Sequence, residues 1–461
     1  MSREATFAAF VTAVSLLGGC ALTRTHYERP AVAAPAEWAH APATAAGATE
    51  NTAAVPDAWW TEYQDAQLTA LVEHALRTNN DLAAATARVR QAQALAGLAR
   101  NDLFPQISAG ASASRQKPLD GGEATRSYGA SLAASYELDL WGRLTASRDA
   151  ARWEARATAE DREATALTLV GTAIHLHFLL GYLDDRLALD DETLADAKRT
   201  LSLVETQYRA GAASGLELAE ARTVLANQEA ARTLLAQQRV EAGNALDVLL
   251  DGSTPSPYEP ASPAAAPLPA VAPGLPAEIL SRRPDLRAAE ARLRATLASR
   301  DAANAAFYPA LVLTGEVGGS SDALRKVLSD PVGVLSASLS LPFLNFDRVR
   351  LTRAVTRAQY EEAVAGFRQA FRQALADVDN ALSAGTQLQM RQEQLERALT
   401  DARTAERLYE IRYRAGAVPL RDWLSAQGTR RSAEAAALEN RLAQLDNRTL
   451  LFQSLGGSSP R

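Results

Sequence analysis

"SYELDLWGRL", residues 135–144, changes period at its midpoint. Tyr136, Leu138 and Leu140 alternate with Ser135, Glu137 and Asp139, the signature of a strand whose two faces differ. Beyond Trp141 and Gly142 the chain becomes a long run rich in Ala, Arg and Glu without turn residues, which predicts helix. A two-faced strand that feeds straight into a very long helix is the joint around which the chain is organised.

Other segments carry the same alternation. In "SYGASLAASYEL" (127–138) one face holds Tyr128, Leu132, Tyr136 and Leu138, the other Ser127, Ser131, Ser135 and Glu137. In "VLSASLSLPF" Leu335, Ala337, Leu339 and Leu341 lie opposite Ser336, Ser338 and Ser340. About ten residues of apolar-out, polar-in alternation suit a strand that crosses hydrocarbon with its other face wet. Less regular partners lie at 107–115 and 310–318, so strands are expected at about 106–116, 126–140, 310–319 and 334–345. Phe104, Tyr136 and Trp141, and then Phe307, Tyr308, Phe343 and Phe346, gather at the helix-proximal strand ends, where an interfacial girdle would sit. The same rings would also serve as plugs at the joint of a soluble protein.

The chain is duplicated. "NNDLAAATARVRQA" from Asn79 parallels "RPDLRAAEARLRAT" from Arg283, and Phe104-Pro105 falls opposite Tyr308-Pro309. "QYRAGA" at Gln207 recurs as "RYRAGA" at Arg412, and "LLDG" at Leu249 aligns with "SLGG" at Ser454. The register holds near 205 residues with one insertion, which chance similarity between alanine-rich helices does not produce. The expected repeats are 61–250 and 277–457, joined by a Pro/Ala-rich linker at 251–276 that can be neither helix nor central strand. Each repeat reads as a first helix (62–104, about 40 residues, in the first repeat), two strands, a very long helix, and a returning helix of roughly 35 residues. The long stretches, 142–209 and 347–414, lack proline and would each extend on the order of 100 Å. Apolar heptads at Leu180, Leu187, Leu194 and Leu201, and at Leu388, Leu395, Ala402 and Tyr409, predict lateral coiled-coil packing.

Composition narrows the class. Of 461 residues, 47% are hydrophobic and 22% charged, so folding is the default, and a net charge of −6 excludes a nucleic-acid binder with a basic stripe. The single cysteine, Cys20, forbids an internal disulfide and closes a short apolar run, "AAFVTAVSLLGGC". That run is too short to span and reads as an export signal at 1–19. Leu17-Gly18-Gly19-Cys20 resembles a bacterial lipobox, which makes Cys20 the lipidated first residue of an extended segment, 20–60; an ordinary signal ending at a chance cysteine is the alternative. Ala21 is not the aspartate that retains many lipoproteins at the inner membrane, so outer-membrane delivery is expected by the same resemblance. No other stretch is read as a membrane-spanning helix.

Four strands cannot close a barrel, and an open edge in lipid leaves backbone groups unpaired at several kcal/mol each. Copies must combine. By counting alone, two copies giving eight strands and three giving twelve both remain open.

"SYELDLWGRL", "GLPAEILSRRPDLRAAEARL" (274–293), "YRAGAASGLELAEA" (208–221) and "WWTEYQDAQLTALVEHAL" from Trp59 resemble the TolC/OprM-type outer membrane factors, in particular the NodT branch of efflux lipoproteins. The resemblance spans the mature chain up to the short tail at 458–461. It implies an α plus transmembrane β fold: three copies, each contributing four strands to a twelve-stranded barrel, with coiled-coil helices forming a periplasmic tunnel. It also implies passive export of small molecules (drugs, toxic compounds or metal ions), delivered by an inner-membrane pump of RND type and a periplasmic adaptor, or membrane fusion protein. "SYELDLWGRL" is then where barrel becomes tunnel.

The resemblance further makes the breaks at Gly211 and Gly416 hairpin turns at the adaptor-contacting tip. "YRAGAVPLRDWLSA" matches the inner-tip pattern, with Tyr413 in a gating link and Asp422 in a carboxylate ring at the periplasmic mouth. A second carboxylate of that pattern is replaced by Ser425, so one ring is expected. Three Asp422 carboxylates near an axis would favour cations. The alternative is that Asp422 only complements a helix dipole. Glu217 holds a tip position that is commonly acidic in the family.

Enzyme chemistry is not expected. His175 and His177 are two apart on a predicted helix and face different sides, so no metal site is expected, and the covalent lipid on Cys20 is the sole expected attachment. No phosphate loop or nucleophile elbow is present. Two other functions share parts of the pattern: a type I polypeptide-secretion channel, and a periplasmic coiled-coil scaffold without a pore.

Overall fold

A computed structural model describes residues 24–41, 56–254, 257–274 and 276–457. The expected signal peptide (1–19), Cys20 and the tail (458–461) lie outside the described residues. After a short turn of helix at Trp59–Tyr63 come α1 (Ala66–Thr78), α2 (Asn80–Asn101), β1 (Gln106–Gln116), β2 (Thr125–Leu138), α3 (Arg143–Arg209) and α4 (Gly215–Leu249). The second series is α5 (Ile279–Arg282), α6 (Pro284–Ala305), β3 (Ala310–Ser321), β4 (Val332–Ser340), α7 (Phe346–Arg414) and α8 (Leu420–Ser454). The elements repeat in order, and α3 and α7 run to 67 and 69 residues.

Three expectations need correction. The single first helix is broken at Asn79, whose N–H closes α1 on the Ala75 carbonyl while its Oδ1 accepts the Leu82 N–H and caps α2. One asparagine thus ends one helix and starts the next. Arg283, held extended before Pro284, makes the matching break in the second repeat. Strand β2 stops at Leu138 instead of residue 140, because the Asp139 carboxylate turns to accept the N–H groups of Leu144 and Thr145 at the start of α3. Strand β4 stops at Ser340, where Pro342 opens a single turn of tight helix in place of the expected strand to 345.

The chain forms two compact units, each drawing on both repeats. Among the described residues, one comprises 24–32, Ala87–Glu160 and Arg287–Ala370. It holds one four-stranded antiparallel sheet in the order β1-β2-β3-β4. The β1–β2 register, Gln106 opposite Ser135, and the β3–β4 register, Ala310 opposite Ser340, coincide when the repeats are superposed in sequence. The segment from Arg24 is stitched onto helices of this unit. Arg24 pairs with Asp149, and Thr25 donates both N–H and hydroxyl to Asp301 at 2.8 and 2.7 Å. Arg29 binds Glu290 at 2.7 Å, while Arg294 lies over the rings of both Tyr27 and Trp153.

The other unit comprises the described residues within 33–86, 161–286 and 371–457. Its main core gathers Trp59, Trp60, Tyr63, Phe178 and Phe452, with Trp59 stacked on Phe452. A window of α3 is apolar enough for a membrane span (mean hydropathy 1.6), but 72% of it is buried. Residues of that helix, from Ala166 to Leu183, form much of this unit's core, so we read it as core and not as a span. Farther along α3 the fully buried stripe is Thr193, Ala197, Thr200 and Val204, not the leucine heptad; Leu187, Leu194 and Leu201 flank it half-buried. Small and β-branched residues occupy the seam because they let helices approach closely.

Candidate functional site

The sheet separates two chemistries. Across its four strands one row reads Gln106, Ser135, Thr314, Ser336, and the next Ile107, Ala134, Gly315, Leu335. The apolar rows continue through Leu132 with Val317, and Leu138 with Leu311 and Leu339. Among the described residues they stay largely open: Ile107 is 75% and Leu335 87% exposed, with Leu138 and Leu311 half-buried at the helix-proximal end. A contiguous apolar face of this kind needs lipid or protein against it. The opposite face is mostly Ser, Gly and Thr with Glu316 and Glu137, interrupted by Val312, Val332 and Val334, and Glu137 is held in a two-pronged pair with Arg143. Strands β1 and β4 are the open edges.

At the strand–helix joint Trp141 stacks on Tyr308, ring centroids 4.9 Å apart, and donates its Nε1–H to the Pro309 carbonyl at 2.8 Å. The rings expected to mark an interface therefore also lock the two repeats together. Phe346, which aligns with Trp141, is 74% exposed, and Phe104, which aligns with Tyr308, is 54% exposed.

Helices α3 and α7 end alike. The N–H of Gly211 reaches the Tyr208 carbonyl and that of Ala212 the Gln207 carbonyl; Gly416 and Ala417 repeat this on Tyr413 and Arg412. Both glycines have positive φ, 74° and 73°, which this helix ending requires and which side chains resist. Around these turns Val204, Ala221, Tyr413, Leu420 and Trp423 form one buried cluster. Tyr413 stacks on Trp423 and donates its hydroxyl to Gln207 Oε1 at 2.8 Å. Burial, and then the Glu217 carboxylate, hold the phenol's pKa above its ordinary value. Its counterpart Tyr208 is 47% exposed. Gln207 and Trp423 were not singled out from the sequence, although both stand inside the motifs that were.

Glu217 and Asp422 occupy the same place in the two repeats but do different work. Ser214 caps α4, accepting the Glu217 N–H while the Glu217 carboxylate accepts the Ser214 N–H at 2.7 Å, a reciprocal capping box. The corresponding cap of α8 is Pro419, which has neither hydroxyl nor N–H. Asp422 lies half-buried in the first turn of α8, its carboxylate not recruited into a capping box. Ser425 is exposed one turn on.

Among the described residues no group of three His, Cys, Asp or Glu is placed to hold a metal. His175 pairs with Asp446 at 2.8 Å, and buried His177 with Asp65 and Tyr258 at 3.0 Å each.

A model of the family described as outer membrane efflux protein matches the chain twice, at residues 71–252 and 275–457. The pyoverdine export outer membrane protein OpmQ of Pseudomonas putida (strain KT2440) is 36% identical over 92% of each chain. The probable efflux pump outer membrane protein TtgC of the same strain is 32% identical over 96% of this chain and 93% of its own. The open state of the Neisseria gonorrhoeae MtrE outer membrane channel superposes with a TM-score of 0.80 at 30% identity, covering 94% of this chain and 98% of that one.

Proposed function

The chain belongs to the outer membrane efflux protein family and is the outer membrane channel of an efflux system; from that premise we propose that three copies close a twelve-stranded barrel and form a passive exit duct. Small molecules enter it from an inner-membrane pump of RND type through a periplasmic adaptor that docks at the Gly211 and Gly416 turns. The reading rests on one observation: a sheet with an uncovered apolar face, a hydroxyl-rich opposite face and two unpaired edges. In lipid such edges must pair, and only copies of the same chain bring matching ones. The relatives named for pyoverdine export and for an efflux pump favour small molecules over polypeptides as cargo. Lipid on Cys20 tethers the barrel from the periplasmic side. Tyr413 and Asp422 form the gated mouth, and Glu217 shapes the neighbouring turn.

The duplication supplies the test. The β2–β3 pairing, carried over to the open edges by the repeat offset, sets Ser338 of β4 opposite the partner subunit's Ser112. It likewise sets Phe346 against the partner subunit's Phe104, as Trp141 sits on Tyr308. A Ser112→Cys/Ser338→Cys chain is expected to oxidise to covalent trimers in membranes. Ser112→Cys/Ser336→Cys, two residues out of register, is expected to stay uncrosslinked. Monomers from both would sink the trimer.

A further inference from the structure

At the joint between β4 and α7 lies a cavity of about 700 Å³ whose walls include Phe307, Pro309, Phe343, Val349, Arg350 and Arg353. It sits where the apolar rows end: Pro309 is two residues before Leu311, and Phe343 four after Leu339. The cavity thus continues the uncovered face of the sheet and finishes it with two guanidinium groups one turn apart on α7. Arg350 meets Asp347 only loosely, at 3.4 Å with both side chains exposed, and among the described residues Arg353 has no ion pair. The first repeat has no such pair of cations. There the position of Arg350 is Thr145, bonded to Asp139, and that of Arg353 is Arg148, ion-paired at 2.5 Å with Asp149, which it shares with Arg24.

We infer that this cavity binds one anionic phospholipid per chain, its acyl chains lying on the Leu311 and Leu339 rows and its phosphate held between Arg350 and Arg353. Residues three apart on a helix share a face, so both planar forks reach one phosphodiester. The aromatic walls give the glycerol and upper acyl carbons an apolar seat at the height where lipid turns polar. Phe346, placed at the seam with the partner subunit, closes one side. A free inorganic anion would find the cations but leave the apolar walls empty; a neutral lipid would do the reverse. The match of both halves selects the phospholipid. The inference rests on the channel reading, which sets the apolar face in lipid.

Native mass spectrometry of the detergent-purified full chain tests it, with phosphatidylglycerol as probe and, for comparison, diacylglycerol bearing the same tails and inorganic phosphate. The wild type is expected to retain phosphatidylglycerol, up to three per trimer, and the Arg350→Gln/Arg353→Gln chain to retain it about tenfold less. Arg350→Lys/Arg353→Lys should recover part of the retention, and Arg348→Gln, outside the cavity, should leave it unchanged. Equal retention by wild type and double glutamine variant would overturn the site. So would equal retention of diacylglycerol, or displacement of the lipid by inorganic phosphate. The same spectra keep the two claims apart: trimers without lipid reject the site, whereas absent trimers reject the assembly.

Discussion

The phenol of Tyr413 on α7 donates a hydrogen bond to Gln207 on α3, so the two long helices, one from each repeat, are tied where both of them end. The bond is part-buried and neutral, a kind worth about 1 kcal/mol. Tyr413→Phe keeps the ring on Trp423 and removes only the tie. If the tie restrains the mouth, the open fraction in planar bilayers should rise about fivefold. Gln207→Leu should do the same, and the double variant should add nothing further. Unaltered gating in all three would remove Tyr413 from the gate.

Asp422 and Glu217 should separate cleanly. Asp422→Asn is expected to lower cation preference, read as a shifted reversal potential under a salt gradient, because it removes three charges from the proposed mouth. Glu217→Ala removes half of a capping box, so it should cost about 1 kcal/mol in stability and leave selectivity nearly intact. Identical reversal potentials for Asp422→Asn and wild type would leave Asp422 as a helix-end charge.

The two faces of β2 give a paired test. Leu132 stands in an apolar row and its neighbour Ser131 in a polar one. Leu132→Arg should cost roughly 2–4 kcal/mol near the middle of the hydrocarbon and reduce heat-stable trimer in membranes. Ser131→Arg, on the hydroxyl-rich face, should assemble and instead reduce cation conductance. Equal assembly of both would mean that the apolar rows do not meet lipid.

Stability should depend on pH through His175. Hydrogen bonding to Asp446 raises its pKa above the unfolded value, outweighing burial. A raised pKa means a contribution that is complete below about pH 6.5 and is lost as the pH climbs through the folded-state value. The melting-temperature gap between wild type and His175→Gln should therefore be widest near pH 5.5 and shrink toward pH 8. A gap that stays constant would show that the pair carries no proton linkage.

Period-two and period-3.6 patterns made the strands and long helices legible, because one face of each is buried or lipid-facing and the other is not. The duplication was equally legible, since its landmarks are Gly and Pro at fixed offsets. The break at Asn79 was not. Thr78-Asn79-Asn80-Asp81 favour a cap over a helix interior, but neither Gly nor Pro marks the spot and helix formers flank it on both sides, so the break hinges on the reach of one side chain. Nor was the different use of Glu217 and Asp422, because it hinges on the residue three positions earlier, Ser214 or Pro419. The buried stripe through Thr193 and Val204 escaped for a third reason: leucines advertise a heptad more loudly than the small residues that the tightest contact selects.

The stitching of the N-terminal segment sets a leash. Arg24 is fastened to Asp149, six residues into α3. Only four peptide steps separate it from Cys20, a reach of at most about 14 Å. A lipid on Cys20, as proposed, would therefore pull on the flank of α3, and lengthening the spacer between residues 20 and 24 would loosen the mooring without touching a single contact in the folded body.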